Sequence, residues 1–381
     1  MKISNWPEYR INEINAVKKI LNSGKVNYWT GNENKKFENN FQNFFKIKKA
    51  IAVSNGTAGL YLAIKALNLK KNSEIIVTPR SYYASASCIL LNNCIAKFVD
   101  ISLENQNICI HDLQKKISNK TKAIICVHLN GYPCDMEEIM KIAKKNNLYV
   151  IEDCSQAHGA KIKNKFVGSF GDIGVWSFCQ DKIISTGGEG GMVATNSEKL
   201  FEKIWTLKDQ GRNLKKIKKL KSNKFRYIHD HIGFNFRMTE IQAKIGNIQL
   251  SKLKKWVRKR NTNALLIMRF LSKYPNVFNK FSLKKEYTHA FYRLCVTLKV
   301  SKKKINFFLK QCQIKGIPIS TGPCPEIYKE KLFKKQLGKN FYLKNANFLS
   351  GRTLSFLVDH TISNKKLSIF LKKIKPLISN L

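Results

Sequence analysis

Lys182 stands just past an apolar run, Trp176-Ser177-Phe178-Cys179-Gln180-Asp181-Lys182, and ahead of a glycine-rich turn, Thr186-Gly187-Gly188-Glu189-Gly190-Gly191. An amine placed beyond a strand end can be desolvated, and a desolvated lysine is a nucleophile able to form a Schiff base with a carbonyl. Ten of the 69 basic residues are Arg and the rest Lys, so place rather than type singles out Lys182. A second candidate is Asp153 in Ile151-Glu152-Asp153-Cys154-Ser155-Gln156-Ala157-His158-Gly159, a carboxylate emerging from an apolar strand and best kept charged beside a cation. Strand alternation sends Glu152 to the opposite face, so only one of the two acids can face a crevice. His158 reads equally as a structural histidine or a catalytic one. The third candidate, Ser54-Asn55-Gly56-Thr57-Ala58-Gly59, lies between a strand and a helix. Its free N–H groups and helix dipole favour an anion by about 0.3 to 1 kcal/mol, although an ordinary tight turn has the same residues.

An amine for a carbonyl, an acid for a ring nitrogen and a helix start for a phosphate are together what pyridoxal 5'-phosphate requires of a protein. Three such groups can meet only if the fold delivers them to one edge. Between residues 50 and 196, β-rich runs alternate with helical stretches, the pattern of a mostly parallel sheet with helices on both faces. Seven strands are expected, at 51–53, 74–78, 96–100, 123–127, 149–153, 174–178 and 191–195. Helices are expected at 57–67 and 136–145, the second capped by Asp135, and a long amphipathic one at 238–253. All three candidates then follow strand ends, where open α/β sheets bind ligands. Residues 1–250, including an N-terminal arm, are read as a large α/β domain, and residues 251–381 as a smaller α+β domain.

Composition removes other classes. The 381 residues are 43% hydrophobic with 23 Phe, which excludes a disordered chain or a small disulfide-stapled scaffold. The ten cysteines are scattered singly without zinc spacing, so reduced, mostly buried thiols and no metal are expected. The N-terminus has no continuous apolar segment and no 18-residue apolar run occurs, giving a cytoplasmic expectation without membrane contact. The net charge of +44 raises the possibility of polyanion binding, but no nucleic-acid recognition motif accompanies it.

At this level the chain resembles the DegT/DnrJ/EryC1/StrS sugar aminotransferases. The resemblance is carried by Ser-Asn-Gly-Thr-Ala, Glu-Asp-Cys-Ser-Gln-Ala-His-Gly, Ser-Phe-x-x-x-Lys with its Gly-Glu-Gly-Gly, and Gly233-Phe234-Asn235-Phe236-Arg237-Met238-Thr239-Glu240, and extends to Gly351-Arg352-Thr353-Leu354-Ser355-Phe356-Leu357. It implies fold type I, the aspartate aminotransferase fold, as a homodimer with active sites at the subunit interface. By position, it makes Lys182 the lysine that carries the cofactor and moves protons, and Asp153 the carboxylate at the pyridine nitrogen. Gln156 falls at the ring face or 3'-oxygen, and Tyr82 where an aromatic ring stacks on the cofactor, unless that tyrosine is a core residue. Gly56, Thr57 and Ser177 match phosphate positions, and Asn235 the residue reaching the phosphate from the neighbouring subunit. The second glycine in Thr186-Gly187-Gly188-Glu189 departs from a commoner Thr-Gly-Glu and loosens any role for Glu189. Dehydratase relatives replace the lysine by histidine, so its retention implies transamination. The implied reaction moves an amino group from L-glutamate to a nucleotide-linked 4-keto-6-deoxy sugar for surface polysaccharide. The alternatives are a 3-keto sugar, or a catalytically silent cofactor-binding regulator. Lys25, Arg212 and the 215–224 lysine run are candidates for attracting the nucleotide diphosphate.

Overall fold

The computed structural model describes residues 1–218, 227–338 and 340–381. Its centre is a seven-stranded sheet of β1 (Lys49–Val53), β2 (Glu74–Val77), β3 (Ile95–Phe98), β4 (Thr121–Val127), β5 (Tyr149–Asp153), β6 (Ile173–Ser177) and β7 (Gly191–Thr195). The spatial order is β1-β7-β6-β5-β4-β2-β3. The β6-β5-β4-β2-β3 block is parallel, whereas β7 runs antiparallel to both of its neighbours. Because only β7 is reversed, the carboxyl ends of the other six strands and the amino end of β7 share one edge. All seven expected strands are present, with ends shifted by two residues or fewer.

Period-2 side-chain alternation gives the inner strands two buried faces, while the edge strand β3 buries only Ala96 and Phe98. Ile51, Val53, Ile75, Val77, Ile125 and Val175 enter one apolar layer with α3 (Gly56–Ala66), α4 (Ala84–Leu91) and α7 (Glu198–Lys208). On the other face, Ala50, Ala52, Trp176 and Met192 meet Phe37, Phe41 and Phe45 of α2 (Glu33–Phe45), which follows α1 (Ile11–Asn22). Further along that face, Ile76, Ile124 and Val150 meet Met136, Ile139 and Ile142 of α6 (Met136–Lys145), which follows α5 (Ile110–Lys116). Asp135 does not cap α6 through its side chain, because its Oδ2 accepts instead from Lys284 Nζ at 2.7 Å.

The long helix is twice the length the sequence suggested. Here called α8, it runs from Glu240 to Leu271, 32 residues. It opens with a capping box, in which Thr239 Oγ1 accepts from Gln242 N while Gln242 Oε1 accepts from Thr239 N. The basic stretch 254–260 hides an apolar stripe that continues through Val257, Ala264, Ile267 and Leu271. The expected boundary at residue 250 therefore lies inside a helix. Leu250, Leu253 and Val257 pack with the large sheet, and Ala264, Ile267 and Leu271 with the C-terminal cluster. That cluster is built on an antiparallel sheet of β8 (Leu294–Thr297), β9 (Ile319–Ser320) and β10 (Thr353–Phe356), in the order β8-β10-β9. Helices α9 (Lys302–Ile314) and α10 (Asn364–Ile378) cover it.

All ten cysteines are unpaired and most are buried, as expected. Among the described residues no helix is long and apolar enough to cross a membrane. In the lysine run, Lys215 pairs with Glu202 at 3.2 Å and Lys216 with Asp230 at 2.6 Å. Residues 219–226 of that run lie outside the described residues.

Candidate active site

At the shared strand edge lies a cavity of about 1350 Å³, lined among others by Asn55, Gly56, Thr57, Tyr82, Asp153, Gln156, Ser177 and Lys182. Seven of the eight residues expected from the sequence thus meet in one chamber, and the eighth, Asn235, does not line it. Asn235 is exposed, and its segment is held by a backbone bridge to Asp209.

The helix start is built by close packing. Asn55 Oδ1 accepts from Ala58 N at 2.8 Å, capping α3. A Cβ at Gly56 would stand 2.7 Å from Ser177 Cβ, so only glycine lets the first turn of α3 approach the end of β6 so closely. Thr57 is exposed toward the chamber and Ser177 is buried beneath it.

Asp153 is 4% exposed, and its two oxygens have separate partners. Ser85 Oγ donates to Oδ2 at 2.8 Å, and Ser155 N donates to Oδ1 at 3.1 Å. Ser81 Oγ lies 2.9 Å from Ser85 Oγ, which extends the chain of hydroxyls. The i, i+4 pair Ser81 and Ser85 at a helix start was visible in the sequence, but nothing local tied it to Asp153, which is 68 residues away. Gln156 Oε1 accepts from Asn130 N at 2.7 Å, which fixes the side chain and leaves its amide nitrogen as the available end.

Alternation separates the acids as expected. Glu152 is fully buried on the other face and accepts from Gly168 N, Phe170 N and Gly171 N, each at 2.7 Å, with His128 Nε2 at 3.1 Å. His128, Glu152 and Cys154 place possible ligand atoms within 4.8 Å of one another. With both carboxylate oxygens already engaged, the group is a structural clamp on the 168–171 turn. His158 is buried outside the chamber, where it packs on Phe178, and burial pushes its pKa down to about 3. It is therefore a neutral core residue.

Tyr82 is 69% exposed at the chamber wall before α4, so the core alternative for it is excluded. In the glycine-rich turn, Gly187 and Gly188 have φ of +87° and +118°. The additional glycine thus occupies backbone that an L side chain rarely adopts. The turn closes through Thr186 Oγ1, which donates to Glu189 O at 2.6 Å, and it places the exposed Glu189 side chain on the chamber wall. Lys25 and Arg212 do not line the chamber. Arg212 instead pairs with Asp209 at 3.3 Å.

The Lys182 side chain is 14% exposed, with Nζ 3.5 Å from Asp181 Oδ1 and 4.8 Å from the centroid of the Tyr292 ring. The Tyr292 hydroxyl donates to Asp181 Oδ2. Burial lowers the Lys182 pKa, but Tyr292, Asp181, Cys179 and Asp153 more than offset it, leaving the amine above its ordinary value. The cation in turn dominates the forces that hold Asp181 below the usual carboxylate range against burial. A raised pKa keeps the amine protonated, and hence unreactive, to higher pH. In the cofactor-free protein Lys182 should therefore acylate more slowly at pH 8 than an ordinary lysine. Asp181→Asn should speed that labelling several-fold and shift its pH profile downward, as read by peptide mass spectrometry. An unchanged profile would remove Asp181 from control of the amine.

Sequence reasoning did not find Tyr292, Ser85, Asn130 or Trp6, whose indole Nε1 donates to Lys182 O at 2.8 Å. Each reaches its partner from a segment remote in sequence, and the contact itself carries no local signature.

Residues 7–375 match the DegT/DnrJ/EryC1/StrS aminotransferase family. The chain is 34% identical over 358 residues to GDP-perosamine synthase of Escherichia coli O157:H7, covering 92% of this chain and 94% of that protein. It is 38% identical over 238 residues, 62% of each chain, to dTDP-3-amino-3,6-dideoxy-alpha-D-galactopyranose transaminase of Aneurinibacillus thermoaerophilus. The crystal structure of an aminotransferase from Psychrobacter cryohalolentis superposes with a TM-score of 0.96 at 39% identity, covering 100% of this chain and 99% of that one. With fold type I architecture and a match along nearly its whole length, the chain belongs to the DegT/DnrJ/EryC1/StrS aminotransferase family.

Proposed function

We propose that the protein is a pyridoxal 5'-phosphate-dependent aminotransferase that moves an amino group from L-glutamate to a nucleotide-linked keto sugar. The observation that carries this reading is the convergence of a buried amine, a doubly hydrogen-bonded carboxylate and a capped helix start on one chamber. The residues fit the cofactor. Gly56 keeps the start of α3 open where a Cβ would collide with Ser177, and Lys182 and Arg293 are the cations among the described lining residues. Gly56, Thr57 and Ser177 would hold the phosphate, Asp153 the ring nitrogen, and Gln156 and Tyr82 the ring. Asn235 would serve the neighbouring subunit's phosphate in a homodimer. Its exposure, beside Ile232 at 90%, is what a subunit contact would cover.

The cofactor supplies a carbonyl for amines and a ring that accepts electron density. The chain does the rest. Lys182 Nζ would take the α-proton of the donor as a general base and give it back as a general acid, and would do the reverse at the sugar carbon in the second half-reaction. Asp153, its oxygens fixed by Ser85 and Ser155, would place negative charge at the ring nitrogen with no need to reorganise. Arg293 gives the chamber positive charge, Pro318, Ser320 and Pro323 of the C-terminal region also line it, and its volume of about 1350 Å³ leaves room for more than glutamate.

The GDP-perosamine synthase relative favours a GDP-linked 4-keto-6-deoxyhexose as acceptor, for surface polysaccharide or O-antigen. The dTDP-3-amino sugar relative keeps a 3-keto acceptor as the second reading. A cytoplasmic enzyme is the simplest setting for such soluble substrates. The test is spectral. L-glutamate should convert the bound cofactor to its amine form, and a panel of GDP-, dTDP- and UDP-linked 3- and 4-keto sugars should convert it back. A cofactor that stays unchanged with glutamate would mean a silent binder.

A further inference from the structure

We propose that Trp6 is a positioning residue for Lys182, holding the peptide of the reactive lysine from the N-terminal arm. This rests on the assignment of Lys182 above. The segment from Cys179 to Gly190 belongs to no helix or strand, so the aim of the lysine depends on what pins its backbone. Lys182 N donates to Cys179 O at 3.0 Å, Gln180 N to Gly188 O at 3.0 Å and Thr186 N to Phe178 O at 3.1 Å. These bonds stay within the segment or reach the end of β6. Among the described residues, attachment to the body of the molecule comes from the Tyr292 hydroxyl on Asp181 Oδ2, from Gln242 Nε2 on Glu189 O at 2.8 Å, and from three contacts at residues 182 and 185. Trp6 Nε1 donates to Lys182 O at 2.8 Å, Tyr9 Oη lies 2.9 Å from Ser185 Oγ, and Ser185 N donates to Gln249 Oε1 of α8 at 2.9 Å. Of these, the Trp6 bond alone acts on the lysine's own peptide.

The indole is itself fixed. It packs edge-on against Trp256 of α8 at 5.3 Å and against His360 of the C-terminal region at 4.8 Å, and those two rings stack at 4.0 Å. Asn5 N donates to Thr361 Oγ1 at 2.9 Å, which ties the adjoining arm to the same region. The donor to Lys182 O is thus anchored on α8 and the small sheet's side, not on the loop it restrains. Trp6 also walls a side chamber of about 360 Å³ beside Asp181 and Arg293, so its removal would change both a bond and a surface. A displacement of about 1 Å at a reacting group can cost roughly 10²-fold in rate, so one such bond matters more for turnover than for stability.

Trp6→Phe keeps an aromatic ring for the edge-on packing while deleting the donor, which makes it the deciding variant. Hydrogen exchange on the cofactor-free protein should become about tenfold faster in the peptide covering residues 179–186, with the rest of the chain unchanged. The holoenzyme should lose about tenfold in kcat, with KM for both substrates moving less than twofold. Trp6→Ala should lose more. The proposal is overturned if Trp6→Phe leaves local exchange or kcat as in the wild type, or if exchange rises across the whole molecule with a matching fall in Tm, the signature of a merely structural residue. Wild-type protein that takes up no cofactor at Lys182 would instead undo the functional assignment. The exchange measurement would still report on the hydrogen bond.

Discussion

Lys182→Ala should lower turnover by at least ~10⁴-fold, because one substitution removes both the covalent attachment and the proton carrier. The fold should survive it. The side chain is 14% exposed and faces the chamber, while neighbouring Ile183 and Ile184 remain fully buried to hold the segment. Loss of the ammonium also frees Asp181, whose hydroxyl partner Tyr292 remains, so the cost in stability should be small. Borohydride treatment of the wild type followed by peptide mapping should mark position 182, and the variant should give no marked peptide. A label elsewhere, or near-normal turnover in the variant, would refute the assignment.

The second large effect concerns Asp153. Asp153→Asn keeps size and one acceptor oxygen for Ser85, but it removes the negative charge. Loss of a preorganised electrostatic partner costs roughly 10²- to 10³-fold in kcat, so a drop of that order is expected with Tm altered by only a few degrees. Ser85→Ala should mimic it weakly, since Ser155 N still holds Oδ1. Steady-state kinetics with near-wild-type kcat for Asp153→Asn would remove the role proposed for the carboxylate.

Much of this was legible in the sequence because the strands carry their own signature. A run such as Tyr149–Asp153 is apolar on both faces and ends at a polar residue, so its side and end can both be read locally. The same alternation correctly sent Glu152 and Asp153 to opposite faces. What stayed hidden depends on contacts between distant segments. Ser85 reaches Asp153 across 68 residues, and Tyr292 reaches Asp181 across 111. The Trp6 indole reaches Lys182 across 176. Asp135 looked like an N-cap by position, yet Lys284, 149 residues away, competes for its carboxylate. The length of α8 was missed for a different reason. Basic side chains at 254–260 broke up the visible apolar period: Lys254, Lys255 and Arg258 are exposed, whereas Arg260 takes a place in the buried stripe itself, its Nη1 donating to Phe291 O at 3.1 Å.

That helix has a mechanical consequence. At 1.5 Å per residue its 32 residues form a beam roughly 48 Å long, with one half embedded under the large sheet and the other beneath the small one. A stiff spar shared by two compartments transmits torque, so neither can pivot freely about residue 250. Any opening or shutting of the chamber then falls to the loops that line it, while the frame stays still.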